Sequence, residues 1–382
     1  MAGPLGNIWD TKIIKPNIMK INVVLISLLI LAKSTFIKAQ IIVYDEIKIP
    51  CTSVKYQGWT GTCWCYAATS FLESELIRMS KGEFDLSEIF FVRKTYLDKS
   101  RNYVLRHGNG PFSQGALAYD ALSNVKNYGA MPEEAYSIIR SDADSIDHTE
   151  MANGIRGFLD AVIETGYPGI YWLDAVDGIL DAYLGEVPDS FMYKNTKYTP
   201  LSFAKELAIN IDEYINITSF THHPFYDYFI LELPDNFSNG KSFNIPLEEL
   251  IMTINHALEH GYSIVWNGEM SHKRFLNIGG WDIPNGRWDG LLIEETDKNL
   301  VSQENRQKSF LSYQTQDDHA MHIVGRAKDQ NGNIFYLIKD SYFGRKGPYK
   351  GFIYMSEDYL KMKTLSITLN KKGLPDFIIN KL

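Results

Sequence analysis

Gln57-Gly58-Trp59-Thr60-Gly61-Thr62-Cys63-Trp64 is a glycine-punctuated loop that runs into a helix. After it, Trp64, Ala67, Ala68, Phe71, Leu72, Leu76 and Met79 recur at helical spacing, which predicts a helix over residues 63–80. Cys63 therefore stands in the first helical turn. The positive end of the helix dipole stabilises a thiolate there and lowers the thiol pKa. Because the thiolate is the nucleophilic form, this is where a catalytic cysteine belongs. Gln57, six residues earlier across the loop, can return its amide NH2 to the same point. Together with the Cys63 backbone N–H it would form an oxyanion hole.

A thiolate nucleophile needs a base, and the base needs an orienting group. Asp317-Asp318-His319-Ala320-Met321-His322 opens a predicted strand, and a second predicted strand, 334–339, delivers Asp340. A histidine on one strand and a carboxylate at the end of the next meet across a hairpin. The expectation is that Asp340 accepts the Nδ1–H of His319 and fixes its tautomer; His322 is the alternative base. Among the other histidines, His222-His223 invites a metal reading, but adjacent loop histidines are ordinarily solvated. His256-Ala257-Leu258-Glu259-His260 fits H-x-x-E-H, a zinc pattern, but no third ligand accompanies it. No metal and no cofactor is expected.

Around these motifs the 382 residues are ordinary in composition, with 45% hydrophobic and 22% charged. That excludes a disordered chain and a long coiled coil. A net charge of −8 gives no footprint for nucleic acid. Three cysteines cannot form a disulfide framework. Cys65, about 200° round the helix from Cys63, should face the core. Further helices are expected at 87–97, at 115–128 with Gly129 as cap, and at 247–261. The last third is β-rich, with strands at 319–327, 334–339, 351–356 and 364–369. A helical front half and a β-rich rear half indicate an α+β fold with a cleft between them.

These blocks resemble the papain-like cysteine peptidases, and within them the bleomycin hydrolase and aminopeptidase C-like branch. The resemblance covers about 50–136, 250–275 and 306–375. It implies a helical subdomain and a β-rich subdomain flanking a catalytic cleft, with a large insertion at about 140–245 that matches nothing. It implies Gln57 as oxyanion glutamine, Cys63 as nucleophile, His319 as base, and Trp64 and Gly115 as substrate-binding residues. The expected partner is a peptide or protein substrate. Two departures stand out. Asp340 replaces the usual Asn and is followed by Ser341-Tyr342-Phe343-Gly344, and Gln114 occupies the place of a second cleft glycine. Two rival readings are a transglutaminase-like acyltransferase and a degenerate, non-catalytic binding protein. In that branch the chain's own C-terminus can occupy the cleft and restrict it to exopeptidase work; here the tail is 374–382.

Ile21–Ala32 is a short apolar run preceded by Lys12, Lys15 and Lys20 and followed by Ala39. This has the form of a secretory signal peptide and is too short for a membrane span. Met19-Lys20 reads as the natural start, with residues 1–18 not native, and residues 40–382 as the mature, exported peptidase domain. Protein recovered outside the cytoplasm is expected to begin at or near Gln40. N-terminal sequencing that finds Met19 or earlier residues on that material would contradict export by cleavage.

Overall fold

The computed structural model describes residues 43–137, 146–270, 291–292, 301–341 and 351–382. The leader, His272 and Tyr342–Gly344 lie outside these residues. Helix α1 (Cys63–Arg78) is the centre of the fold. Every residue from Trp64 to Leu76 except Tyr66 is buried, so this helix is enclosed rather than half-exposed. On one side lie α2 (Glu88–Leu105) and α3 (Ala118–Tyr128), whose side chains share a core with Phe71, Leu72 and Leu76.

On the other side is a ten-stranded sheet. Its members are β1 (Val43–Lys48), β4 (Tyr214–Thr218), β5 (Tyr228–Ile230), β6 (Lys241–Asn244), β7 (Ile264–Gly268), β8 (Leu291–Leu292), β9 (His319–Asp329), β10 (Ile334–Lys339), β11 (Phe352–Ser356) and β12 (Thr364–Asn370). The order is β5-β6-β4-β12-β7-β9-β10-β11-β8, with β1 also paired to β9. A second core lies between the sheet and α7 (Leu247–Glu259), joining Leu250, Ile254 and Leu258 to Trp266, Ile323 and Ile367.

The stretch read as an unassigned insertion divides between the two halves. Helices α4 (Thr149–Glu164), α5 (Trp172–Leu184) and α6 (Pro200–Leu207) bury Ile155, Leu180 and Phe203 in the α1–α3 core, as does Phe191 from the hairpin of β2 (Phe191–Tyr193) and β3 (Thr196–Tyr198). Its later part supplies β4, β5 and β6 to the sheet. The third helix begins at Ala118, not Gly115. The Asp120 carboxylate accepts the Leu117 N–H at 2.9 Å and caps the helix there. Buried Lys99 donates to the Ser113 and Gly115 carbonyls and holds the preceding residues in a loop.

The remaining helices are α8 (Gln303–Leu311), α9 (Glu357–Lys363) and α10 (Asp376–Ile379). Among the described residues, no helix is long and apolar enough to cross a membrane.

Candidate active site

Cys63 is half-buried at the N-terminus of α1, whose cap residue Thr62 makes no side-chain bond to the helix. The Cys65 and Tyr66 N–H groups donate to Thr62 O at 2.9 and 3.3 Å, so it is the first N–H groups of the helix, at Cys63 and Trp64, that are left to face an anion. The loop before it is fixed by Gly58, which has φ +70° and packs against the Ile146 backbone where a Cβ would overlap. Trp59 N–H also donates to Ile146 O at 2.8 Å.

His319 opens β9 opposite Gly268 of β7, and Asp340 follows the last residue of β10. His319 Nε2 lies 2.7 Å from Asp340 Oδ1, with the carboxylate side chain fully buried and the imidazole 10% exposed. The expected Nδ1 contact is thus corrected: the bond runs through Nε2. Cys63 acts on the same ring, by charge and by a hydrogen bond from its side chain, so the imidazole stands between the thiol and Asp340. Burial opposes charge on the His319 ring, but Cys63 and Asp340 together outweigh it and raise the pKa well above the ordinary histidine value. Asp340 Oδ1 also accepts the Ser341 N–H at 2.8 Å, which fixes the carboxylate plane.

Gln57 is buried and joined to the same turn. Its backbone N–H donates to Ser341 O at 3.0 Å, and its Oε1 accepts from Ser341 Oγ at 2.7 Å. Its Nε2 donates to Thr60 O at 2.6 Å, which leaves one amide hydrogen for a ligand. Gln57, Cys63, His319 and Asp340 are therefore brought to one place. His322 is not. It is fully buried, bonded through Nδ1 to Ser70 Oγ at 2.8 Å, and burial lowers its pKa well below the ordinary value.

Trp64 requires a correction. It is 2% exposed, and its indole N–H donates to Gln114 O at 3.1 Å. It braces the Gln114-Gly115 wall from inside and offers substrate no surface. Gln114, the departure from a glycine pair, accepts the Gly61 N–H through Oε1 at 2.9 Å and ties that wall to the Cys63 loop. At Gly115 a Cβ would overlap the Asp235 carboxylate.

Asp235 was missed from sequence, because it lies in the stretch that matched no motif. It sits on the segment 233–240 after β5, which docks on the helical wall. Phe237 O accepts from Asn102 Nδ2 at 3.0 Å, and Gly240 N–H donates to the Tyr119 hydroxyl at 2.9 Å. Asp235 Oδ1 accepts from Ser113 Oγ at 2.9 Å. Asp317, two residues before His319, faces Asp235 electrostatically and accepts from Asn267 Nδ2 at 3.1 Å; its Oδ2 is buried without a hydrogen-bond partner. Burial raises the pKa of Asp235, and pushes those of Asp317 and nearby Asp120 up to about 7. Lys99 is the nearby cation, but its Nζ is bound to backbone carbonyls, and no ion pair to Asp120, Asp235 or Asp317 forms among the described residues.

The two zinc-like histidine pairs differ. His256 and His260 stack at 4.0 Å, with their Nδ1 atoms bonded to Gly373 O and His256 O, and no third ligand joins them among the described residues. His222 and His223 instead converge on Glu232.

A helix-borne cysteine facing a strand-borne histidine across a cleft between helices and sheet defines a papain-like fold, and comparison with known proteins agrees. A sequence profile of the Peptidase C1-like family matches residues 187–382, taking in the later part of the unassigned stretch. Aminopeptidase G of Lactobacillus delbrueckii subsp. lactis is 22% identical over 375 residues, 86% of this chain and 83% of its own. Aminopeptidase W of the same organism is 22% identical, covering 88% and 85%. A crystal structure of PepW from Lactobacillus rhamnosis HN001 superposes with a TM-score of 0.69 at 18% identity, over 88% of this chain and 84% of that one. The chain belongs to the Peptidase C1-like family. It is a cysteine-type peptidase, a hydrolase acting on peptides or proteins.

The three thiols differ in setting. Cys65 is fully buried, donates to Glu88 O at 3.3 Å, and burial raises its pKa well above normal. Burial also raises the Cys51 thiol. Iodoacetamide near neutral pH is expected to alkylate Cys63 first and Cys65 last, read by peptide mass mapping over time. Equal rates at all three thiols in the native protein would contradict this ordering.

Proposed function

We propose that the chain is an exported aminopeptidase that removes residues from the free amino end of peptides through a Cys63–His319–Asp340 triad. The Cys63 thiolate attacks the scissile carbonyl carbon. The oxyanion is held by the Cys63 backbone N–H and the free Gln57 amide hydrogen. His319, as imidazolium, gives its Nδ1 proton to the leaving amine, and the acyl group remains on sulfur. Water then attacks the thioester and gives its proton to His319. The carboxylic acid product leaves and Cys63 returns to the thiolate. Asp340 keeps the ring in register and stabilises its charged form. The export part of the reading rests on the apolar run at 21–32 and its basic approach.

The observation that carries the exopeptidase reading is the Asp235 carboxylate lying against Gly115, on a segment that closes the wall beside the Cys63 loop. With Asp317 it offers buried carboxyl groups that a substrate's free ammonium group would hold in the ionised form. Residues 370–378 run elsewhere. Asn370 donates to Glu75, roughly 18 Å along α1 from Cys63. Beyond it, Leu374 and Ile378 pack into the core under α7. The names of the relatives, aminopeptidases G, W, E and C, agree with this reading.

Two experiments test it. N-acetylation of a short peptide is expected to cut kcat/KM roughly 10²-fold, the cost of leaving a buried charge unpaired. Asp235→Asn should shrink that discrimination mainly through KM. Internal cleavage of acetylated peptides at undiminished kcat/KM would defeat the amino-end reading.

The second experiment concerns Asp340. Its negative charge helps raise the His319 pKa. Asp340→Asn removes that charge, so the imidazolium is lost at lower pH and the alkaline limb of kcat/KM moves down while activity persists. Asp340→Ala should cost about 10²-fold or more in kcat/KM. Full activity in both His319→Ala and Asp340→Ala would remove the triad.

A further inference from the structure

Thr221-His222-His223-Pro224 follows β4, and Glu232 follows β5 two residues after Ile230. The two imidazoles turn the same atom toward one carboxylate. His222 Nε2 is 3.1 Å from Glu232 Oε2, and His223 Nε2 is 2.8 Å from Oε1. The three donor atoms all lie within 4.8 Å of one another.

The rings are held in that pose from behind. His223 stacks on Phe229 with centroids 4.1 Å apart and planes 22° from parallel. His222 lies over Phe310 of α8 at 25°. The loop backbone is pinned by buried Asn244, whose Nδ2 donates to the carbonyls of Phe220, His223 and Pro224.

We propose that His222, His223 and Glu232 form a binding site for a divalent transition-metal ion of the zinc class. Two imidazole nitrogens and one carboxylate are a borderline donor set that suits Zn(II), as they do not suit Ca(II) or Mg(II). Tetrahedral bonds of about 2.0 Å space ligand atoms about 3.3 Å apart, so small side-chain rotations admit the ion. The side chains are 22%, 33% and 56% exposed, which leaves room for entry and for water to complete the shell.

Coordination requires each Nε2 to offer a lone pair, so its proton moves to Nδ1. For His222 that proton has an acceptor. Gln307 now donates to Nδ1 from Nε2 at 3.1 Å, and its Oε1 lies 3.4 Å from the same atom. Gln307 thus serves either tautomer, the usual role of a group behind a metal-bound histidine. Glu232 also leads straight into the segment 233–240 that carries Asp235. An ion here would brace the base of the segment lying against Gly115.

The test is zinc binding by the full chain carrying Cys63→Ala, which removes the cleft thiol as a competing ligand. Isothermal titration with ZnCl2 in a non-coordinating buffer should show one ion per chain. Glu232→Gln, which preserves shape, should weaken the affinity at least tenfold, as outer and inner ligand losses commonly do. His222→Ala with His223→Ala should abolish binding, with circular dichroism confirming the fold of each variant. Zinc bound equally well after Glu232→Gln, as ions held at His256 and His260 would be, overturns the proposal. So does no binding at millimolar zinc. Because the measurement uses an inactive chain, its outcome is independent of the amino-end reading.

Discussion

The enclosure of α1 is the constraint on which the rest of this structure depends. A helix that presents Cys63 at its N-terminus to a histidine on the sheet must lie between helices and sheet, away from water. Yet its sequence carries Glu73 and Glu75, both about 1% exposed. An unpaired buried carboxylate costs several kcal/mol, roughly as much as breaking a buried ion pair. Each is therefore met by several groups, at least one of them from another element. Glu73 accepts from Thr52, from Lys55 at 3.4 Å and from the Leu86 N–H at 2.9 Å. Glu75 accepts from Arg78 at 2.7 Å and from Asn370 of β12 at 2.9 Å. Lys55 in turn joins Glu88 of α2 at 2.8 Å. These bonds fix the azimuth of α1 against both halves and, with it, the direction in which Cys63 faces.

The same economy of donors reaches the cleft. Lys339, the last residue of β10, donates to Thr52, which donates to Glu73. One residue on, Asp340 holds His319, and Ser341 bonds Gln57 through both backbone and side chain. The strand end that orients the imidazole therefore also places the glutamine. A charged Asp in place of a neutral Asn suits this arrangement: the His319 ring is nearly enclosed, and a carboxylate favours its protonated form in a setting where burial disfavours it.

The segment after β5 shows how a stretch without motifs acquires a role. Residues 233–240 have no sequence periodicity, yet they cap the wall at Gly115 because Tyr119, Asn102 and Lys99 of the helical half meet them. Lys99 lies over the Phe237 ring at 5.1 Å and also bonds the Gly115 carbonyl. The long connection from α6 to α7 thus reaches the helical wall from the sheet side and lays the Asp235 carboxylate against Gly115.

Local chemistry was readable from sequence. The apolar spacing after Cys63 gave a helix that begins at Cys63, because capping and periodicity are properties of neighbours in the chain. The strands expected at 319–327, which runs on to Asp329, and at 334–339, and the glycine cap at Gly129, follow from the same local rules, and the α+β architecture follows from their order. Trp64 was misjudged because a large aromatic beside a nucleophile looks the same in sequence whether it faces cleft or core; only the packing of α1 against Gln114 decides. Which imidazole nitrogen meets Asp340 depends on the rotamer that the packing around His319 selects. The approach of Asp235 to Gly115 and of Glu232 to His222 and His223 joins residues brought together by loops of no fixed pattern. Such encounters are set by the summed packing of two cores, and no window of sequence contains them.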